Sequence, residues 1–243
     1  MAPVIKRNTS KVKVVLTGFE PFRQHATNPS WLSVRPLHNT VLDLPKSVLA
    51  SGEEGPRTAE IVCHELPVEY RKVPDLVPRL HETYDPSAAA DGVERVKTYF
   101  IHLGVGLDGS TAIETHADRV GYSHADNAQW CPPSLTEPPV CKAEWANDPA
   151  KLVTTVDTAA LAKYLEEEKG WKCRQSLDAG HYLCEYTFYL SMAERNRRIQ
   201  LGQEDGSDRV CLFVHLPSVG NPYTLDELTR FVQDMVTRVV TAY

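Results

Sequence analysis

Hydrophobic positions along the chain form short apolar runs that alternate with longer amphipathic stretches. The runs that predict strands are 12–18, 60–68, 98–106, 171–176 and 209–217. The stretches that predict helices are 69–84, 155–170, 176–192 and a last segment that begins at Thr224. The run at 209–217 is apolar on both faces, which is typical of a strand in a parallel sheet covered by helices on both sides. The alternation therefore predicts an α/β fold, a three-layer αβα sandwich with a mostly parallel, mixed central sheet.

The C-terminal helix has the clearest signals of the predicted elements. Thr224 and Glu227 have the spacing of a capping box, in which each side chain binds the other residue's backbone N–H. Apolar residues follow at helical spacing and predict one buried stripe, formed by Leu228, Phe231, Met235 and Val239. The helix at 155–170 also carries end signals, with Thr155 or Asp157 as its cap and Gly170 at its end.

The length and composition are those of one globular domain. The chain has 243 residues, of which 42% are hydrophobic and 24% charged, and no internal repeat is visible. We expect a single α/β domain over 1–243, with an N-terminal extension at 1–11. Two segments rich in turn-forming or charged residues, 46–58 and 130–149, predict surface loops.

Charge and hydropathy make several classes of partner improbable. Lysine and arginine number 26 against 32 aspartates and glutamates, a formal net charge of -6, and no long basic run suggests nucleic-acid binding. No apolar run approaches the roughly 18 residues of a membrane-spanning helix. The N-terminus lacks a signal-peptide core, so we expect a cytoplasmic protein.

Its six cysteines should then be free thiols, and without a CxxC pair no metal site is expected. Cys131 and Cys141 share one loop and either pair under oxidation or remain free.

One cysteine stands out by its position. Cys184 lies at the predicted start of a helix, just after the stretch Asp178-Ala179-Gly180. The positive end of the helix dipole and the unpaired N–H groups there favour a thiolate. The same N–H groups are placed to stabilise an oxyanion on an attacked carbonyl. Ser176 and Ser191 lack this position, although a buried cysteine of purely structural role is the common alternative.

A cysteine nucleophile needs a base. His215 ends the apolar run of the 209–217 strand, and the carboxyl ends of parallel strands border the ligand crevice of such folds. His102 also lies late in a predicted strand and is the main rival. The simpler alternative for His215 is a histidine that ends a strand and binds a loop.

A third, acidic residue should orient the base. Glu114 follows the predicted strand at 98–106. The residues alone leave it in competition with Asp108, Asp118 and Asp126.

The stretch "TGFEPFRQHATNPSW" at 17–31 follows the first predicted strand and reaches the same edge of the sheet. Phe19 and Phe22 would either sandwich a small flat ring or fill the core as an apolar plug.

Several motifs together resemble one known family. They are "TGFEPF", "NPSW", "LPVEY", "HLGVG", "GYSHADN", "DAGHYLCEYTFY" and "FVHLP", which occur in this order between about residues 12 and 240. The chain is identified by them as similar to the pyroglutamyl peptidase I family of cysteine peptidases. The loop before Glu114 is one residue shorter than in close animal members. Glu185 stands where many members have asparagine.

The resemblance implies an enzyme that removes an N-terminal pyroglutamyl residue from peptides through an acyl-enzyme intermediate, without metal or cofactor. It implies Cys184 as nucleophile, His215 as base and Glu114 as the orienting carboxylate. The residues that it assigns to substrate binding are Phe19, Phe22, Asn28 and Leu183. Members of the family form dimers or tetramers, so a homo-oligomer is possible. The alternatives are a family member that has lost activity and binds pyroglutamyl peptides, and an unrelated hydrolase or phosphorylase on a similar scaffold.

Overall fold

The computed structural model describes residues 11–22, 27–48, 52, 54–86, 96–140, 142–204 and 206–243. Its strands are β1 (Lys11–Phe19), β2 (Thr40–Asp43), β3 (Thr58–Leu66), β4 (Thr98–Val105), β5 (Thr111–Glu114), β6 (His116–Asp118), β7 (Lys151–Val153), β8 (Cys173–Ser176) and β9 (Arg209–Leu216). Its α-helices are α1 (Pro29–Val34), α2 (Val73–Thr83), α3 (Thr158–Glu167), α4 (Leu183–Gln200) and α5 (Leu225–Ala242).

Seven strands form the central sheet in the order β2-β3-β1-β4-β9-β5-β8. β1 runs parallel to β3 and β4, β9 runs parallel to β4, and β8 runs parallel to β5. β2 is antiparallel to β3, and β5 is antiparallel to β9. β6 and β7 form a separate antiparallel pair. The sheet is therefore mostly parallel and mixed, as the sequence predicted.

The residues of β9 show how the sheet is covered on both faces. Val210, Leu212 and Val214 belong to a core that also includes apolar residues of α1, α3 and α5. Cys211 and Phe213 belong to a second core, shared with α2 and α4. This alternation within one buried strand confirms the three-layer αβα arrangement.

The end signals read from the sequence are present at two helices. The Thr224 hydroxyl accepts a hydrogen bond from Glu227 N at 3.3 Å, and the Glu227 carboxylate accepts one from Thr224 N at 2.8 Å. Asp157 caps α3 by accepting from Ala160 N at 2.9 Å. The predicted stripe of α5 is fully buried at Leu228, Phe231, Met235 and Val239.

α4 begins later and ends later than predicted. Gly180 and His181 have φ of 91° and 47°, a left-handed conformation that a right-handed helix cannot contain, so the helix begins only at Leu183. The helix continues past residue 192 because Glu194, itself buried, binds Arg198 one turn on, with Oε1 2.9 Å from Nε. Polar residues that are buried in pairs gave no apolar periodicity from which this last part could be predicted.

Five short elements were not predicted: α1, β2, β5, β6 and β7. They have three to six residues each, fewer than a periodic pattern needs. The described residues of the predicted loop at 130–149 are irregular apart from a 3₁₀ turn at Ala143–Trp145, and residue 141 lies outside them. Parts of the predicted loop at 46–58 and residues 1–10 of the predicted extension lie outside the described residues, and Lys11 already belongs to β1. None of the helices in the described ranges combines the length and apolar character needed to cross a membrane.

α1 lies directly on β1 because Gly18 has no side chain. A Cβ at this position would be 2.4 Å from the backbone N and Cα of Trp31. The contact is reinforced where Phe19 N donates to the Ser30 hydroxyl at 3.0 Å. The two elements therefore hold the start of the loop that follows β1.

We predict that Gly18→Ala lowers the free energy of unfolding by at least about 2 kcal/mol, because backbone atoms on both sides must separate to admit a methyl group. Urea denaturation followed by circular dichroism measures the change. Gly206→Ala is the matched control, since a Cβ there would first meet a side-chain atom, Nη2 of Arg195 at 3.1 Å, and no backbone atom as close. Equal stability of the two variants would contradict this account of the packing.

Candidate active site

The carboxyl ends of β4 and β9 border a cavity of about 450 Å³, at the edge where ligands bind in open α/β sheets. Loops after β1 and β8 and the start of α4 complete its wall. The lining includes Phe22, Glu114, Arg174, Tyr182, Cys184 and His215.

His215 and Glu114 are in direct contact across neighbouring strands. β5 is antiparallel to β9, with Ala112 opposite His215 and Glu114 opposite Phe213. The Nδ1 atom of His215 lies 2.8 Å from Oε1 of Glu114. The Glu114 side chain is 1% exposed and that of His215 is 12% exposed. The carboxylate therefore fixes the ring with its other nitrogen free to act.

Cys184 is the second residue of α4 and lies beside His215. Its buried thiol belongs to the cavity lining and lies close enough to the imidazole to favour the protonated ring. The structure thus brings together in one chain of contacts the three side chains expected as nucleophile, base and orienting carboxylate.

Two glycines, Gly104 in β4 and Gly106 directly after it, make room for this arrangement. A Cβ at Gly104 would lie 2.7 Å from the Cys184 sulfur, and a Cβ at Gly106 would lie 2.7 Å from Cβ of His215. Both contacts are shorter than van der Waals separation. The "HLGVG" segment therefore lets the start of α4 approach the sheet and leaves space for the His215 side chain.

The charges around His215 favour its protonated form. Burial alone would lower the pKa of the imidazole. The attraction of Cys184, its hydrogen bond, and the hydrogen bond and charge of Glu114 outweigh burial and raise the pKa of His215 to about 10. An imidazolium that persists at neutral pH is the partner expected for a thiolate.

The start of α4 places its first backbone N–H groups next to the sulfur. Tyr182 is the N-cap residue in an extended conformation, and its side chain makes no capping hydrogen bond. The first N–H groups of a helix have no acceptor within the helix, and they lie at the positive end of its dipole. Cys184 is thus placed where both a thiolate and an oxyanion are stabilised.

Glu185 holds the turn that precedes the nucleophile. Its two carboxylate oxygens accept hydrogen bonds from the backbone N–H groups of Asp118, at 2.8 Å, and His181, at 2.7 Å. Burial raises the pKa of this carboxyl group, while these hydrogen bonds and His181 act in the opposite direction. A side chain with two acceptors thus fixes the left-handed His181 against β6.

The same residues form a group that could coordinate a metal ion. One ligand atom each from Asp118, His181 and Glu185 lie within 4.8 Å of one another. Both Glu185 oxygens already accept backbone N–H groups, and Lys151 Nζ lies 3.3 Å from Asp118 Oδ1. The carboxylates of Glu185 and Asp118 thus already interact with backbone N–H groups and with Lys151.

The expected substrate-binding residues divide into two sets. Phe22 lines the cavity, and its ring lies 5.8 Å from that of Tyr182. Phe19 is 1% exposed and packs in the core, with its ring 6.5 Å from Phe213, and it is not part of the cavity lining.

Asn28 and Leu183 are buried behind the cavity wall. The Asn28 side chain accepts hydrogen bonds from the backbone and hydroxyl of Ser30 and donates to the carbonyl of Glu20. It is the N-cap of α1 and holds both ends of the loop after β1. Leu183 is the first residue of α4 and packs in the core.

The rival base lies away from the cavity. His102 is fully buried, its Nδ1 lies 2.8 Å from the Thr17 hydroxyl, and burial lowers its pKa to about 3.

The rival carboxylates have other partners. Asp108 accepts from Ser218 N at 3.0 Å, and Asp126 accepts from Tyr70 N at 2.9 Å. Asp118 pairs with Lys151. Of the four acidic candidates, Glu114 is the one that contacts His215.

Tyr182 and Arg174 also line the cavity, and the sequence did not single them out. Tyr182 was hidden inside a stretch that resembles ordinary helix. Arg174 lies within a predicted strand that is too short to show which face of the sheet each side chain points to. Gly104 and Gly106 could have been noticed, because both lie in the predicted strand at 98–106 and residues two apart on a strand point to the same face.

Fold and site together define an α/β protein with a cysteine–histidine–carboxylate site, the arrangement used in nucleophilic catalysis by thiols. Residues 12–237 match the family model described as pyroglutamyl peptidase. Rat pyroglutamyl-peptidase 1 is 30% identical over 229 residues, covering 93% of this chain and 89% of the relative. The pyrrolidone-carboxylate peptidase of Pseudomonas fluorescens is 30% identical over 177 residues, covering 73% of this chain and 69% of the relative.

The chain belongs to the pyroglutamyl peptidase family, a family of cysteine peptidases, as its motifs predicted. The crystal structure of pyroglutamyl peptidase I from Bacillus amyloliquefaciens is similar in fold, with a TM-score of 0.70. The two chains are 20% identical, and the match covers 95% of this chain and 96% of the other.

The other described cysteines differ from Cys184 in their surroundings. Burial raises the pKa of Cys63 to about 12 and those of Cys173 and Cys211 to about 11. Cys131 is exposed and free, and Cys141 lies outside the described residues.

We predict that iodoacetamide at pH 7 modifies Cys184 and the exposed Cys131 well before the three buried thiols. His215→Gln should slow modification of Cys184 at least about tenfold, because the thiolate loses its cationic partner. Peptide mass spectrometry over time measures both rates in one sample, with Cys131 as the internal reference. An unchanged rate at Cys184 would show that His215 does not activate it.

Proposed function

We propose that this protein hydrolyses the amide bond after an N-terminal pyroglutamyl residue of peptides. The observation that carries the proposal is the continuous contact from Glu114 through His215 to Cys184 at the wall of a cavity. Membership of the pyroglutamyl peptidase family supports the substrate class.

In the proposed first half-reaction the thiolate of Cys184 attacks the pyroglutamyl carbonyl, and its electron pair moves to the oxygen. N–H groups of the first turn of α4 stabilise that oxyanion. When the tetrahedral intermediate collapses, the C–N bond breaks and protonated His215 donates its proton to the leaving amine. Glu114 keeps the ring oriented and stabilises its positive charge.

In the second half-reaction water replaces the peptide. His215, now neutral, takes a proton from the water as it attacks the thioester, and pyroglutamate leaves with regeneration of the thiolate–imidazolium pair. These steps use only side chains, backbone N–H groups and water.

We further propose that the lactam ring binds on the side of the cavity formed by Phe22 and Tyr182. An aromatic wall suits a neutral, flat ring. An N-terminal glutamyl residue would bring an ammonium and a carboxylate to that wall, at a cost of several kcal/mol unless they are paired. In this proposal three buried residues do not touch the substrate but hold the loop after β1 and the start of α4. They are Phe19, Asn28 and Leu183.

The proposal includes a single peptidase domain, supported by the family match over residues 12–237. A reducing, cytoplasmic setting would keep Cys184 as a thiol, in agreement with the free cysteines of the described residues. Assembly into homo-oligomers is compatible with the proposal and is not required by it.

We predict that the protein releases the fluorophore from a pyroglutamyl amide and that Cys184→Ala abolishes this turnover. The matched control Cys131→Ala should retain it, since that side chain is exposed and outside the cavity. The glutamyl amide of the same fluorophore should be cleaved at least about a hundredfold more slowly, given the cost of charge at an apolar wall.

Turnover that survives Cys184→Ala would refute the mechanism, and equal cleavage of both amides would refute the ring pocket. Folded wild-type protein without turnover would support the alternative of an inactive binding protein. The alternative attributes a loss of activity to the changed loop before Glu114, and the contact between Glu114 and His215 argues against it.

We predict that the alkaline limb of kcat/KM against pH lies well above 6.5, because the pKa of His215 is raised to about 10 and the leaving amine needs its proton. Glu114→Gln removes a negative charge that raises this pKa, so the limb should move to lower pH by about one unit or more. Glu137→Gln, at an exposed glutamate, is the control and should leave the limb in place. A shift to higher pH, or none, would contradict the role given to Glu114.

A further inference from the structure

Arg174 is an arginine of the cavity lining whose charge has no partner there. It lies on β8, the edge strand of the sheet, and its side chain is exposed. Within the described part of the chain its guanidinium makes no hydrogen bond or ion pair. Asp178 also lines the cavity but does not pair with it, and its Oδ1 accepts from Gly180 N at 2.9 Å.

The strand register places Arg174 in one row with the base. Gly104 is opposite His215, His215 is opposite Ala112, and Ala112 is opposite Arg174. Residues opposite one another in a sheet point to the same face, here the face covered by α4. Neighbouring strands are about 4.8 Å apart, so the backbones at Arg174 and His215 are separated by about 10 Å.

The order of the strands gives the cavity two sides. Phe22 follows β1 on one side, and Arg174 is on β8 at the other, with Cys184 over β4 and His215 on β9 between them. The group that protonates the leaving amine must lie on the leaving-group side of the nucleophile. The acyl ring therefore lies toward Phe22, and the residue that leaves extends from His215 toward β5 and β8.

We propose that Arg174 binds a carboxylate on the residue that follows the pyroglutamyl group, an inference that rests on the proposed function. The backbones of His215 and Arg174 are about 10 Å apart. One residue of extended peptide after the scissile bond spans about 3.5 Å of this distance, and the long arginine side chain spans the rest. A guanidinium binds carboxylates through two parallel hydrogen bonds and remains charged at every physiological pH.

The subsite defines a substrate class, short pyroglutamyl peptides that present a negative charge directly after the scissile bond. In a pyroglutamyl dipeptide this charge is the free C-terminal carboxylate. In a longer peptide it is the side chain of aspartate or glutamate in the second position. The exposed Leu107 and the hydroxyl residue Ser110 line the same cavity and leave room for varied side chains.

The test compares kcat/KM for pyroglutamyl-alanine and pyroglutamyl-alanine amide, which differ only in the terminal charge. Wild-type protein should prefer the carboxylate about tenfold, the effect of one charge-assisted contact. In Arg174→Gln this ratio should fall to about one, mainly through KM, because the contact is distant from the reacting atoms. Arg174→Lys should retain part of the preference, since it keeps the charge without the planar pair of donors.

Arg230→Gln is the matched control, because it removes the same charge from an exposed side chain of α5 and should leave the ratio unchanged. A second pair, pyroglutamyl-glutamate amide and pyroglutamyl-glutamine amide, tests the side-chain source. Preference within the second pair only would assign the subsite to acidic side chains rather than to the C-terminus.

An absence of preference in both pairs for wild-type protein would overturn the subsite while leaving the proposed function intact, because the amides would still be cleaved. An equal loss of activity toward charged and uncharged substrates in Arg174→Gln would also overturn it and indicate a structural role. Failure of wild-type protein to cleave any of the four substrates would overturn the proposed function and the subsite with it.

Discussion

The close approach of α4 to β4 is the constraint on which the site depends. Gly104 leaves a space that the sulfur of Cys184 fills, and Gly106 leaves the space beside His215. A methyl group at either position would enter the volume of the Cys184 or the His215 side chain. The helix start can therefore lie on the sheet with its N–H groups and its thiol at the same edge, and the left-handed turn at Gly180 and His181 gives the chain the direction that this requires.

Electrostatics explains why this arrangement is stable although it buries charge. An isolated imidazolium in the position of His215 would be costly, and burial does act against it. The cost is offset because the interactions of the ring with Cys184 and Glu114 favour its protonated form. The second oxygen of Glu114 has no hydrogen-bond partner in the part of the chain that the structure describes. The carboxylate therefore interacts chiefly with the His215 ring.

Much of the fold and the two central residues of the site could be predicted from the sequence. The apolar runs located five of the seven strands of the central sheet, and helix-start and strand-end positions pointed to Cys184 and His215. Glu114 could not be separated from three aspartates by residue pattern, because the choice depends on β5 running antiparallel beside β9. A four-residue strand has no periodicity from which its direction can be read. The pairing of Arg174 with Ala112 depends in the same way on β5 running parallel beside β8.

The order in which the strands occur along the chain differs from their order in the sheet. β9 is the last strand synthesised, yet it lies between β4 and β5. β4 ends more than a hundred residues before β9 begins, and β5 ends about ninety-five residues before it. Until residues 209–216 have been inserted there, Cys184 has no base and Glu114 has no ring to hold. In a growing or truncated chain that lacks β9, Cys184 therefore has no imidazole beside it, and the group of three side chains forms only when the sheet is completed.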